Sequence, residues 1–162
     1  MCLGECLNHS QFSKKGNHYV YEIEELLAGY AKFLEQDGEL FKKLAKGQAP
    51  KTMVIACSDS RVDPVTIFGV QPGEIFVVRN VAALVPPYVE NYDRHHGTSA
   101  AIEFAVRHLK VSKIIVMGHS ECGGIKYLLN PPKKESYESF IGPWVNIAKE
   151  AKEKVVELPN TP

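Results

Sequence analysis

At 162 residues, 44% of them hydrophobic, the chain is sized for one domain with a proper core. Nineteen basic and nineteen acidic side chains cancel, which excludes a global field drawing it to nucleic acid or an anionic membrane. No apolar run approaches the roughly 20 residues that span a bilayer, and Met1-Cys2-Leu3-Gly4-Glu5-Cys6 lacks the apolar core of a signal peptide. A cytoplasmic protein is expected, an organelle form after transit-peptide removal being equally compatible.

Residues 1 to 17 are polar and aperiodic and read as an arm, either laid on a neighbour or loose. Cys2, Cys6 and His9 form a C-x₃-C-x₂-H cluster within it, to which no role is assigned. From His18 to Gln36 apolar residues recur at Tyr19, Ile23, Leu26, Leu27, Tyr30, Phe33 and Leu34, the spacing of an amphipathic helix. Asp37-Gly38 breaks it, and Glu39 to Lys46 reads as a second helix stopped by Gly47.

Lys51 to Cys57 contains Met53, Val54, Ile55 and Ala56 in succession, the pattern of a strand buried on both faces. Asp63-Pro64 predicts an N-cap with proline at the first helical position, opening a short helix to Phe68. After the turn Gln71-Pro72-Gly73, Glu74 to Arg79 predicts a second strand. A loop carrying Pro86-Pro87 leads to a helix from Gly97 to Leu109, with an inner face of Ala101, Ile102, Ala105, Val106 and Leu109. Lys113 to Gly118 predicts a third buried strand that delivers His119. Gly123-Gly124 permits a tight turn into a helix ending near Leu129. Tyr137 to Leu158 predicts further helix, interrupted at Gly142-Pro143.

Buried strands alternating with helices imply an α/β fold with a parallel-core sheet flanked by helices. Ligands in such sheets bind at the carboxyl ends of the strands. Cys57 and His119 both fall there, with Cys122 one turn beyond. A catalytic zinc site commonly takes three protein ligands, and Cys₂His is one such set. Asp59 is the candidate fourth group, two residues past Cys57.

Two thiolates and a neutral imidazole cancel the charge of Zn²⁺, so a water held there should be hard to ionise unless assisted. Asp59 can accept its hydrogen bond, and Arg61 can hold Asp59 as a charge-assisted, bidentate partner. Freed from Arg61, Asp59 could instead reach the zinc and close the site. The plainer alternatives are packed cysteines for Cys57 and Cys122, and a surface ion pair for Asp59 and Arg61.

Cys57-Ser58-Asp59-Ser60-Arg61, Arg79-Asn80-Val81-Ala82 and His119-Ser120-Glu121-Cys122-Gly123-Gly124 together resemble the signature of the β-class carbonic anhydrases, in their plant-type branch. The resemblance runs from about Leu26 to the helix after Gly124. It implies zinc on Cys57, His119 and Cys122, Asp59 and Arg61 as a catalytic dyad, and reversible CO₂ hydration to bicarbonate and a proton by a zinc-bound hydroxide. It also implies substrate contacts from Gln48, Phe76, Phe104, Gly123 and Gly124, Phe104 standing where that branch often has tyrosine. The fold it implies dimerises through projecting N-terminal helices and the sheet surface, with the active site at the subunit interface, and forms homodimers or higher even-numbered assemblies.

Family chains usually continue into another strand and helices, so residues 18–162 are expected to form one zinc domain lacking those elements. Three other functions fit the residues less fully. These are hydrolysis of CS₂ or COS on the same scaffold, a zinc-stabilised interaction module, and a thiol-redox role for Cys57 and Cys122.

Overall fold

In a computed structural model, residues 23–36, 38–90, 96–132 and 139–156 are described below. The arm, with Cys2, Cys6 and His9, lies outside them. The chain divides into two units, Met1–Ala45 and Lys46–Pro162.

In the first unit, helix α1 spans Ile23–Gln36 and α2 spans Gly38–Leu44. The Phe33 and Phe41 rings meet edge to face at 4.8 Å and join the two helices. Leu26, Leu27, Tyr30 and Leu34 of α1 are exposed.

The second unit is built on three parallel strands, β1 (Thr52–Cys57), β2 (Ile75–Asn80) and β3 (Lys113–Met117), in the order β2-β1-β3. Met53 through Ala56 on the central strand are at most 1% exposed, as their continuous apolar run predicts. The register sets Cys57 opposite Asn80 and Met53 opposite Phe76 and Ile114.

The expectation of a third buried strand fails. Ile114, Ile115 and Val116 are 45%, 39% and 56% exposed, because among the described residues β3 is an edge strand paired with β1 alone. An apolar run identifies a strand but does not say how many neighbours cover it.

Helix α3 (Pro64–Phe68) starts as predicted. The Asp63 carboxylate accepts from the Thr66 N–H at 2.9 Å, and Pro64 occupies the first turn. Helix α4 (Gly97–Glu103) runs into a π-helical turn, Phe104–His108, in which the Leu109 N–H reaches back to Phe104 at 3.1 Å. Ala101, Ile102 and the buried Ala105 pack on Met53 and Ile55. Val106, expected on the inner face, is 45% exposed, because the wider turn breaks the 3.6-residue period that placed it inside.

Helices α5 (Gly123–Leu129), α6 (Ile141–Val145) and α7 (Lys149–Val156) complete the unit, with a short 3₁₀ turn between the last two. Gly142-Pro143 does not interrupt a helix. It lies in the first turn of α6, where proline has no hydrogen bond to lose. Among the described residues no helix is long and apolar enough to cross a membrane.

Candidate metal centre

Cys57 ends the buried strand β1, His119 follows β3 after Gly118, and Cys122 caps the N-terminus of α5. Parallel pairing of β1 with β3 brings the first two to one end of the sheet. The tight connection Ser120-Glu121 swings the third back, with Glu121 in the left-handed region at φ 55°.

The three donor atoms lie within 4.8 Å of one another. The two sulfurs are 3.8 Å apart, both cysteines buried and free. Two thiolates on one tetrahedral zinc, each at about 2.3 Å, stand about 3.8 Å apart. His119 Nε2 is buried and has no hydrogen-bond partner, and buried polar atoms are rarely left so. Donor types, spacing and orphaned nitrogen all fit a metal ion.

Burial pushes the Cys57 thiol up, but polar neighbours outweigh it and leave the group below its ordinary value. These neighbours are the Asp59 backbone, the His119 side chain, the Ala82 backbone and Cys122. The thiolate that a metal needs therefore forms more readily here than on an ordinary cysteine.

Asp59 and Arg61 meet as a bidentate pair, Nε to Oδ1 at 2.9 Å and Nη2 to Oδ2 at 2.7 Å. The Arg61 N–H adds a bond to Oδ1 at 3.0 Å, and Nη2 also donates to the Glu121 carbonyl at 3.3 Å. The Arg61 side chain, then its backbone N–H, hold the Asp59 carboxyl well below the usual carboxylate range. Its Oδ2 stands 3.9 Å from His119 Nε2, so an ionised oxygen faces the donor cluster.

Other expected site residues are distributed unevenly. Gly123 and Gly124 open α5 directly after Cys122. A Cβ on Gly124 would stand 2.8 Å from Val81 Cγ1 and 2.9 Å from the Ala82 Cβ, so this glycine permits a close approach, whereas Gly123 has open space. Phe76 and Phe104 pair with ring centroids 5.9 Å apart. They are not beside the cluster: Phe76 lies four positions before Asn80, the residue opposite Cys57, or about 13 Å along the strand. Gln48 is exposed in the segment leading to β1.

Three residues to which the motif spacing assigned no role brace the site. Arg79 donates to the carbonyls of Cys57 (2.9 Å) and Asp59 (2.7 Å), with the Asp63 carboxylate 3.5 Å away. The Asn80 side chain closes a loop by donating to the Leu84 carbonyl and accepting from the Leu84 N–H, both at 2.8 Å. Trp144 donates to the Val81 carbonyl. An arginine and an asparagine ending an otherwise apolar strand were a signal for the first two. For Trp144 the sequence holds none.

A family model described as carbonic anhydrase matches residues 52–161. The chain is 50% identical over 117 residues to β carbonic anhydrase 5, chloroplastic, of Arabidopsis thaliana, covering 72% of this chain and 38% of that protein. It superposes on the β-carbonic anhydrase CcaA with a TM-score of 0.75 at 32% identity, covering 85% of this chain and 64% of that one. A tetrameric β-carbonic anhydrase from Sordaria macrospora gives a TM-score of 0.63 at 34% identity, covering 85% and 68%. The chain thus spans about two fifths of the Arabidopsis protein's length and just under two thirds of the CcaA chain.

Proposed function

This chain belongs to the β-class carbonic anhydrase family, and from that premise we propose that it hydrates CO₂ reversibly to bicarbonate and a proton at a zinc centre on Cys57, His119 and Cys122. The observation that carries this is the convergence of three donors around a buried His119 nitrogen with no other partner. Zinc, when bound there, supplies a Lewis acid that makes water a competent nucleophile near neutral pH.

The chain's own groups do the rest. Asp59, kept ionised by Arg61 and facing the cluster, accepts a hydrogen bond from the attacking water and aligns its lone pair on the carbon of CO₂. Arg61 restrains Asp59 through two parallel bonds, and its further bond to the Glu121 carbonyl ties the dyad to the loop that carries Cys122. The proton released leaves to buffer.

Gln48, Phe76, Phe104, Gly123 and Gly124 form the substrate wall in this proposal. CO₂ offers no charge to grip, so aromatic faces with few polar groups suit it. About 13 Å from their own Cys57, Phe76 and Phe104 serve the centre of a second copy, which makes the active site an interface and the partner this same chain. The tetrameric Sordaria relative supports self-association. The chloroplast location of the Arabidopsis relative favours the organelle alternative over the cytoplasm.

Stopped-flow CO₂ hydration from mildly acid to alkaline pH, beside the zinc content, tests the proposal. One zinc per chain with a rate that climbs with pH is expected. Full zinc occupancy without hydration at any pH would reduce the site to a structural metal.

A further inference from the structure

Trp144, the single tryptophan of the chain, donates its indole N–H to the Val81 carbonyl at 2.7 Å. The bond joins α6, which carries no metal donor, to the turn that follows β2. In that turn Ala82 (φ 67°) and Ala83 (φ 53°) are both left-handed. Residues with a Cβ hold this conformation only where their surroundings impose it. One restraint is Gly124, which leaves no room for displacement toward α5. The Trp144 hydrogen bond is a second.

What the turn presents to the cluster is specific. Ala82 and Ala83 pack with Cys57 and Cys122 in one buried group, so the turn walls the space in which both sulfurs sit. Close packing around a ligating sulfur restricts its rotamer and so orients it. Outer partners of this kind commonly matter 10- to 100-fold to metal affinity or activity.

We infer that Trp144 is a positioning residue for the metal centre: by holding the Val81 carbonyl it fixes the left-handed turn that packs on Cys57 and Cys122 and so sets the orientation of their sulfurs. The inference rests on Cys57, His119 and Cys122 being the metal ligands. Trp144 acts one step further out than the turn itself, through a single neutral hydrogen bond, so its effect on metal affinity is about fivefold.

The test compares the wild-type protein with Trp144→Phe and Gly124→Ala, each loaded with Co²⁺. Phenylalanine keeps an aromatic ring and removes the donor. Metal affinity is read by competition with a chromogenic chelator, and sulfur orientation by the sulfur-to-cobalt charge-transfer band. Trp144→Phe should bind metal about fivefold more weakly and displace the band, with far-ultraviolet circular dichroism unchanged. Gly124→Ala should displace the same band with Trp144 intact, since its Cβ must push on Val81 or Ala82. Wild-type affinity and band in Trp144→Phe overturn the inference and leave Trp144 a packing residue. Should that variant not fold, an undisplaced band in Gly124→Ala overturns it equally. A wild-type protein that takes up no Co²⁺ sinks the metal centre itself, an outcome distinct from either.

Discussion

Arg79 reaches from β2 to the carbonyl of Cys57 at 2.9 Å and, with the other arm of its guanidinium, to the carbonyl of Asp59 at 2.7 Å. The first supplies a candidate metal donor and the second the carboxylate that faces the cluster. A planar fork can hold two carbonyls at once, whereas an ammonium is a point charge on a flexible stem. Arg79→Lys should therefore lose at least one bond to a charged donor, each worth about 1.5–3 kcal/mol. A fall in Tm of roughly 3–12 °C follows for a domain of this size, together with slower turnover. Thermal unfolding and CO₂ hydration of one preparation check both. An unchanged Tm would mean that the two carbonyls find water instead.

Asp59 and Cys122 lie beside the same nitrogen, yet their removal should have different consequences. Asp59→Ala leaves all three donors in place, so zinc should remain near one per chain. Turnover should fall by about 10²- to 10⁴-fold, the range for a positioned proton-handling group. Cys122→Ala removes a ligand and should lose the metal itself. Zinc analysis beside stopped-flow rates separates the two. Full turnover in Asp59→Ala would refute the dyad.

Asp63 gives the fold a calculable response to acid. The Thr66 hydroxyl and N–H, and more weakly Arg79, hold its carboxyl below the ordinary value of 3.8. A depressed folded-state pKa means stability that is fully present above 3.8 and lost as pH falls through the folded value. Asn at this position keeps an oxygen for the Thr66 N–H but carries no charge. Asp63→Asn should thus be less stable than wild type at pH 7, the gap closing toward pH 3, while Asp63→Ala also forfeits the cap, about 1 kcal/mol. Thermal melts of the three proteins across that range decide it. A gap between wild type and Asp63→Asn that is constant with pH would show the carboxylate's charge to be irrelevant.

Much of this was legible in the residue order, and the reason differs by element. The run Met53-Val54-Ile55-Ala56 marked the central strand, since an unbroken apolar run of strand length suits burial on both faces. Asp63-Pro64 marked a helix start because capping and proline geometry are local. Cys57, His119 and Cys122 could be set at one sheet end from strand order alone. Coverage was not legible: Ile114-Ile115-Val116 reads like a core strand and lies at an edge. The π-helical turn at Phe104–His108 defeated the 3.6-residue period that placed Val106 inside. Trp144 was invisible because its partner, a backbone carbonyl 63 positions away, carries no mark in the sequence.

The distance between Phe76 and the cluster yields a test for a shared site. If the aromatic pair serves the centre of a second subunit, Phe76→Ala and Cys122→Ala damage opposite halves of each site. The Phe76→Ala chain keeps its metal donors, and the Cys122→Ala chain keeps its aromatic wall. Each homodimer should be impaired, Cys122→Ala wholly and Phe76→Ala by a lesser factor, since one apolar contact contributes only about 1–3 kcal/mol. In a mixed dimer one of the two sites regains a complete set and the other loses both halves. Co-refolding the two variants in equal amounts should raise activity above the mean of the separate preparations. Activity no higher than that mean, in a sample shown to contain mixed dimers, would place Phe76 and the metal donors in independent roles and leave the aromatic pair a packing feature of β2 and the π-helical turn after α4.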